Sequence, residues 1–291
     1  MFRRKTIKQS KLIQMKSIKT LVLALTLIIG TSMVFSSCQK DDPNNNQWGA
    51  ETLTFKVNNS SDEFIMKKVE GGDYSMEYMY EDQEATVAGT LSDFYICPLE
   101  VTNKLWDDVM GWRPEGQPNN GDSYPVSNVN YYDIVKEGGF IDKLNTMCAD
   151  QLPAGMHFAL ATEAEWHYAA HGGRKSQGYI YAGSNTLGDV AWYADNGEQS
   201  SHFVASKQPN ELGIYDLSGN VWEYCNDWYA DLADLPADQG TDYAGPETGN
   251  VIVGGGGCFS SEPYTCTSAY HGREKEHNGR DATLGFRIVL R

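Results

Sequence analysis

"LATEAEWHYAAHGG", Leu160 to Gly173, holds the helix from which the rest of the chain can be read. Thr162 followed three residues later by Glu165 is a capping box: the threonine hydroxyl accepts from the amide of Glu165 while the glutamate carboxylate accepts from the threonine amide. The helix therefore begins at Glu163. Gly172 and Gly173 end it, because a helix C-terminus commonly closes through a left-handed residue that glycine adopts without a steric penalty. So short a helix, in a chain with 29 glycines and 12% aromatic residues, predicts a turn-rich fold of short strands in which long helices are scarce.

Upstream, "LSDFYICPLEVT" alternates and reads as a strand, and "TNKLWDDVMG" follows as a helix capped by Thr102. "NYYDIVKEGGFIDKLNTMC" has helical spacing interrupted at Gly138 and Gly139. Downstream, "DVAWYADN", "SHFVASKQPNELGIYDLSGNVWEYCNDWY" and "TLGFRIVLR" read as short strands and ordered loops. No low-complexity segment divides residues 51–291, a length compatible with one large domain.

The first 37 residues have a different character. Lys16 and Lys19 precede an apolar run from Leu21 to Ile29, and small residues then lead to Cys38, which is the pattern of a secretory signal and not of a membrane span. "FSSC" resembles a bacterial lipobox, so Cys38 is expected to carry lipid and become the mature N-terminus. Met15 opens a better-proportioned signal than Met1 does. Residues 38–50, with "QKDDPNNNQ", read as a tether. Their Lys40, Asp41 and Asp42 resemble an address that sends lipoproteins to the outer face of the outer membrane. An outer-membrane lipoprotein, periplasmic or surface-exposed, is the expectation.

Residues 1–37 hold seven Lys or Arg and no Asp or Glu, so the remainder keeps 16 basic against 39 acidic groups, a formal charge of −23. A body so acidic is a poor partner for nucleic acid. Five cysteines remain besides Cys38, namely Cys97, Cys148, Cys225, Cys258 and Cys266, in a compartment that permits disulfides; the odd number leaves at least one thiol unpaired.

The blocks "FYICPLEVTNKLW", "PVSNVNYYD", "LATEAEWHYAAHGG", "QPNELGIYDLSGNVWEYCNDWY" and "LGFRIVL", in this order, resemble the domain of the formylglycine-generating enzymes, or sulfatase-modifying factors. The resemblance implies a single α+β domain of C-type-lectin-like topology with little regular secondary structure and a C-terminal segment that returns to the core. In active relatives, two cysteines separated by four residues follow a Gly-Gly-Ser stretch, bind Cu(I) and use O2 to convert a cysteine of a client sulfatase to formylglycine, a task for which soft thiolates are suited. Here "GGGGCFSSEPYTC" has Cys258 and Cys266 eight apart, and Cys266 sits where the family often has a cysteine of the fold. Cys258 can be a displaced copper ligand, half of a disulfide, or a small buried hydrophobe. The resemblance also implies a Cys225–Cys266 bridge, because relatives without the copper pair often carry both cysteines.

A calcium site is implied as well: the Asp216 side chain, the carbonyls of Gly219 and Val221, and Glu223, hard oxygen donors of the kind Ca2+ takes. His167 and His171 lie four apart on the helix, as zinc-binding histidines do, but Tyr168 stands where the catalytic glutamate of that motif belongs. In relatives these two positions carry a surface ion pair, so both histidines are expected on an exposed helix face. Ala159 and Ala161 depart from the arginine and proline usual before "TEAEW". The combined reading is an exported, lipid-anchored, non-catalytic module that binds a glycan or an envelope protein through the loop from Cys258 to Asp281. The alternatives are a copper-dependent formylglycine-generating oxidase and a structural component of the envelope.

Overall fold

The computed structural model describes residues 49–57, 62–272, 275–276 and 278–291; the signal segment, Cys38 and nearly all of the tether lie outside the described residues. The chain runs through β1 (Thr52–Lys56), β2 (Glu63–Val69), β3 (Gly72–Tyr80), β4 (Gln83–Leu91) and β5 (Phe94–Ile96) before its first described helix, α1 (Asn103–Met110). Helices α2 (Tyr131–Val135) and α3 (Phe140–Met147) follow, then β6 (Phe158–Leu160), α4 (Glu163–Ala170) and α5 (Leu187–Val190). The remainder is strand and loop: β7 (Trp222–Trp228), β8 (Asp238–Thr241), β9 (Val251–Gly255), β10 (Lys275–Glu276), β11 (Leu284–Gly285) and β12 (Ile288–Leu290).

The local signals place the helices as expected. Glu165 N–H donates to Thr162 Oγ1 at 3.1 Å and Thr162 N–H to Glu165 Oε2 at 2.8 Å, so the capping box is closed. Thr102 caps α1 by accepting from Leu105 N–H, and the interruption at Gly138 and Gly139 separates α2 from α3. Gly172, at φ 88°, turns the chain away from the end of α4.

Three sheets result, ordered β1-β2-β5-β12-β6, β10-β9-β7-β11 and β3-β4-β8. β12 lies in the interior of the first, pairing antiparallel with β5 through Val289 and Ile96 and with β6 through Val289 and Ala159, so the C-terminus does return to the core. Strand periodicity then divides the interior. Tyr95, Ile288 and Leu290 face a cluster containing Phe55, Trp106, Phe140 and Phe286, while Ile96 and Val289 face one containing Trp166, Cys225 and Val253. Both faces of these strands are buried. That is why the polar alternation expected of "LSDFYICPLEVT" does not reach β5.

Helix α4 is enclosed on all sides: each of its eight residues is buried. The expectation of an exposed face at His167 is thus corrected, since His167 is fully buried and His171 only partly accessible. Glu163, one turn earlier on α4, faces His167 at 3.4 Å, but Ser268 and Tyr78, which close over it, come from distant segments that a helical pattern cannot reveal.

Candidate functional site at the glycine loop and the Asp216 turn

The four glycines end β9 and cross over α4. A Cβ on Gly255 would stand 2.9 Å from the Trp166 ring and one on Gly257 would stand 2.6 Å from Cys266 Sγ, while Gly256 and Gly257 take φ of 92° and 75°. Only glycine fits there. Beyond them Cys258 is 2% exposed; its amide donates to Ser261 Oγ at 2.9 Å, and its sulfur lies 3.3 Å from the hydroxyls of both Ser260 and Ser261. Cys266 is fully buried against Leu187, Val190 and Ala191, and burial, with nearby Cys258, pushes its thiol up to about 12. Cys225 lies in the Trp166 cluster, where burial raises its thiol well above the usual range.

All five cysteines among the described residues are free thiols. The Cys225–Cys266 bridge is therefore not formed; the two sulfurs belong to separate apolar clusters. Of the three readings of Cys258, the geometry matches a small buried hydrophobe whose weak acceptor is satisfied by two serines.

A tight turn supports this loop from below. Gly219 N–H donates to Gly256 O at 2.7 Å, and Asn220 O accepts from Phe259 N–H at 2.8 Å. Asn220 is buried in the left-handed region at φ 61° and is a hub: its Nδ2 donates to Glu100 Oε2 at 2.6 Å and its Oδ1 accepts from His202 N–H at 2.9 Å. Glu100 Oε1 accepts from Val221 N–H at 3.1 Å.

Three buried carboxylates converge here on one guanidinium. Glu223 accepts from Arg287 Nε at 2.6 Å and Nη2 at 2.5 Å and from Trp166 Nε1 at 2.8 Å; Arg287 also donates to the carbonyls of Cys97 and Tyr215. Asp216 Oδ2 accepts from Ala205 N–H at 2.7 Å, but Oδ1 is buried with no partner among the described residues. Burial raises the Asp216 carboxyl to about 6, against the opposing pull of the Ala205 amide and Arg287. Glu100 is displaced well upward by burial, with Asp216 and Glu223 adding to the shift. Asp216 and Glu223, the two side chains expected at calcium, are near enough for the Glu223 charge to raise the Asp216 carboxyl further. Glu100 and Arg287 were not foreseen, although each was visible as a lone charge inside an apolar segment, "CPLEV" and "GFRIV".

A second buried polar cluster holds the far end of the loop. His271 Nδ1 lies 2.6 Å from Glu163 Oε1 and its Nε2 lies 2.8 Å from Ala230 O; both partners are acceptors, so the ring carries two protons and a charge. Burial opposes that charge, but Glu163 outweighs it and the histidine is raised. Burial would likewise raise Glu163, yet His271 and His167 hold it down to about 2. The ring lies between Tyr229 and Tyr78, and His167 Nδ1 donates to Ser268 O at 2.6 Å. Among the described residues no group of three or more His, Cys, Asp or Glu is arranged to hold a metal, and no helix is long and apolar enough to cross a membrane.

A glycine loop laid over a capped helix, with the C-terminal strand returned to the middle of the sheet, defines a sulfatase-modifying-factor type of domain. The sulfatase-modifying factor enzyme 1-like domain matches residues 51–291, and the chain belongs to that family. It is 33% identical over 273 residues to the "Chaperone protein LppX" of Paenibacillus barcinonensis, covering 79% of this chain and 89% of that protein. It is 30% identical to the formylglycine-generating enzyme of Streptomyces coelicolor, over 63% of this chain and 60% of the enzyme. Among solved structures, Treponema denticola variable protein 1 superposes with a TM-score of 0.69 at 30% identity, covering 82% of this chain and 99% of that one.

Proposed function

We propose that this chain is a non-catalytic polypeptide-binding module of the sulfatase-modifying-factor family, exported and anchored through lipid on Cys38 to the outer membrane, on its periplasmic or outer face. The observation that carries the proposal is the burial of Cys258 and Cys266, at 2% and 0% exposure. A copper oxidase of client thiols needs two thiolates open to the client and to oxygen, whereas these are enclosed and Cys266 is held protonated by burial. The similarity to LppX, named as a chaperone and matched over most of its length, supports a polypeptide ligand over a glycan. The exposed Tyr264, edge-on to Tyr270, supplies a rigid aromatic contact within the loop.

The Asp216 turn is suited to calcium. Its donor set fits because, among the described residues, Asp216 Oδ1 is unpartnered, Glu223 has given up three of about four lone-pair directions, and three carboxylates face a single guanidinium. A bound ion would supply the positive charge this cluster lacks, held by Asp216 and Glu223 with the carbonyls of Gly219 and Val221.

The oxidase is the second reading, favoured by the placement of Cys266 Sγ against Gly257, directly beside Cys258. One experiment separates the two. The reduced domain is incubated with Cu(I), O2 and a sulfatase-type cysteine peptide, and in parallel with a reduced, carboxymethylated secreted protein as unfolded client. Retention of the unfolded client, weakened by Tyr264→Ala, with no loss of peptide sulfur by mass spectrometry, is expected. Aldehyde formation abolished by Cys258→Ser would overturn the proposal.

A further inference from the structure

The sheet β3-β4-β8 ends on β3, a nine-residue strand that pairs with β4 along one side. In an antiparallel pair the N–H and C=O of alternate residues turn away from the partner. Met79 shows which set does so in β3: its N–H donates to Ala269 O at 2.8 Å and its carbonyl accepts from His271 N–H at 2.7 Å, in a parallel bridge with Tyr270. By the same alternation Asp73, Ser75 and Glu77 turn their backbone groups outward. None of these three N–H and three C=O groups has a partner among the described residues. The row stays open because the loop leaves it. One residue before Ala269, Ser268 donates its N–H to Ile180 O at 3.1 Å and accepts from His167 Nδ1 at its carbonyl at 2.6 Å, so both its backbone groups are turned elsewhere. Because the bridge is parallel, the chain beyond His271 continues toward the hairpin turn at Glu81 and Asp82, not back over Ser75. At the other end Arg174 Nε donates to Gly71 O at 2.6 Å, and between these two anchors Asp73, Ser75 and Glu77 are exposed.

Donors and acceptors that recur about every 6.8 Å along an open edge are matched by an extended polypeptide backbone, which carries the complementary groups at the same repeat. A glycan or a lipid headgroup does not. Charge then separates the polypeptides. Between Gly71 and Asn103 the chain has no Lys or Arg, and the hairpin carries Asp73, which accepts from Thr90 Oγ1 at 2.8 Å, with Glu77, Glu81, Asp82 and Glu84. A second copy pairing antiparallel about Ser75 would set Asp73 against Glu77 twice, and like charges directly opposite destabilise a strand pair. Charged edges guard a sheet against pairing with itself in this way, and they leave it open to a cationic strand. We infer that the outer edge of β3, from Asp73 to Glu77, takes up an extended polypeptide segment as a fourth strand of this sheet, with lysine or arginine of the segment beside Asp73 and Glu77. The inference names a contact surface for the polypeptide-binding reading and rests on that reading for its biological sense.

The test titrates the chain from Cys38 onward with the acetylated and amidated heptapeptide Thr-Lys-Val-Lys-Val-Lys-Thr at low salt, and follows amide exchange at residues 72–80 by NMR. The amides of Asp73, Ser75 and Glu77 should exchange freely in the chain alone and at least tenfold more slowly at saturating peptide, while that of Met79, already bonded, is protected in both. Two further peptides are N-methylated, one on its lysines and one on the residues between them. One of the two should bind like the parent and the other at least tenfold more weakly, because only alternate amides of a strand face its neighbour. Ser75→Pro, which removes the middle N–H at an edge position where proline is tolerated, should weaken the parent peptide about tenfold. If it does not fold, the N-methylated pair decides. Glutamate in place of the three lysines should weaken binding at least tenfold. Protection of Asp73, Ser75 and Glu77 without peptide overturns the inference, because the tether or a second copy would then occupy the edge already. So does parent affinity in both N-methylated peptides, or in the glutamate peptide. A chain that retains unfolded client while no peptide protects its edge amides would sink the edge and leave the polypeptide-binding reading standing; edge protection without retention of client would do the reverse.

Discussion

Asp216→Asn should stabilise the calcium-free protein, and by an amount that depends on pH. The carboxyl is raised from 3.8 to about 6 by burial, and its Oδ1 has no partner among the described residues. Because the folded value lies above the unfolded one, the native state holds an extra proton between about pH 4 and pH 6 and loses stability as pH rises through that window. At 1.36 kcal/mol per pH unit the displacement corresponds to about 3 kcal/mol by pH 8 and to nothing below about pH 4, where both states are protonated. Asparagine keeps the acceptor for Ala205 N–H and tolerates the left-handed φ of 59°, so the substitution removes charge with little else. Urea unfolding in EDTA should show Asp216→Asn level with wild type near pH 4 and more stable by up to about 3 kcal/mol at pH 8. With calcium at a thousandfold excess over its Kd the order should reverse, since such a ligand contributes about 4.1 kcal/mol to the protein that can bind it. Destabilisation of the variant in EDTA at pH 8, or a gain constant from pH 4 to pH 8, would refute the reasoning that burial of this carboxylate outweighs the pull of Arg287 and the Ala205 amide.

Arg287→Met should cost about 3–5 kcal/mol, the usual loss when one partner of a buried ion pair is removed, and adding Glu223→Leu should recover most of it; thermal melts of the three proteins check this. The Glu163–His271 pair should support the fold most between about pH 4.5 and 6.5, because the lowered glutamate loses its contribution as pH falls toward 2 and the raised histidine loses its own as pH climbs through its folded value. His271→Gln should flatten the alkaline decline in melting temperature. Cys38→Ala should release the protein from membranes and abolish labelling by a fatty-acid analogue; unchanged partitioning would remove the anchor.

What was legible in the sequence was what a few adjacent residues decide. Thr162 with Glu165, Thr102, and the Gly138–Gly139 interruption each fix a helix boundary through bonds spanning three or four positions, and all stand where the pattern puts them. His167 was misread for the opposite reason. Glu163 stands one helical turn away, but Ser268 and Tyr78, which close over the ring, come from segments that helical spacing does not bring together, so no count of exposed positions on α4 could bury it.

The Asp216 cluster lies between these extremes, and its outline could have been drawn before any coordinates. Arg287 in "GFRIV", Glu223 in "NVWEYC" and Glu100 in "CPLEV" are isolated charges among core-forming residues, and an isolated charge in such a segment must find an opposite one or lose its charge. One arginine can neutralise one of the two glutamates, and Asp216, in the same block as Glu223, makes the shortage of positive charge worse. The deficit alone does not say whether protons or a cation make it good. Geometry narrows the choice: Glu100 spends its oxygens on Asn220 and Val221, Glu223 spends most of its own on Arg287 and Trp166, and Asp216, three positions before the Gly219–Val221 turn, has one oxygen without a partner among the described residues. That turn is bonded to Gly256 and Phe259, so a calcium ion that joined Asp216 to the carbonyls of Gly219 and Val221 would also stiffen the stem of the cysteine loop. A change of charge at Asp216 should therefore be felt as a change of order at Cys258, although no bond between the two side chains carries it.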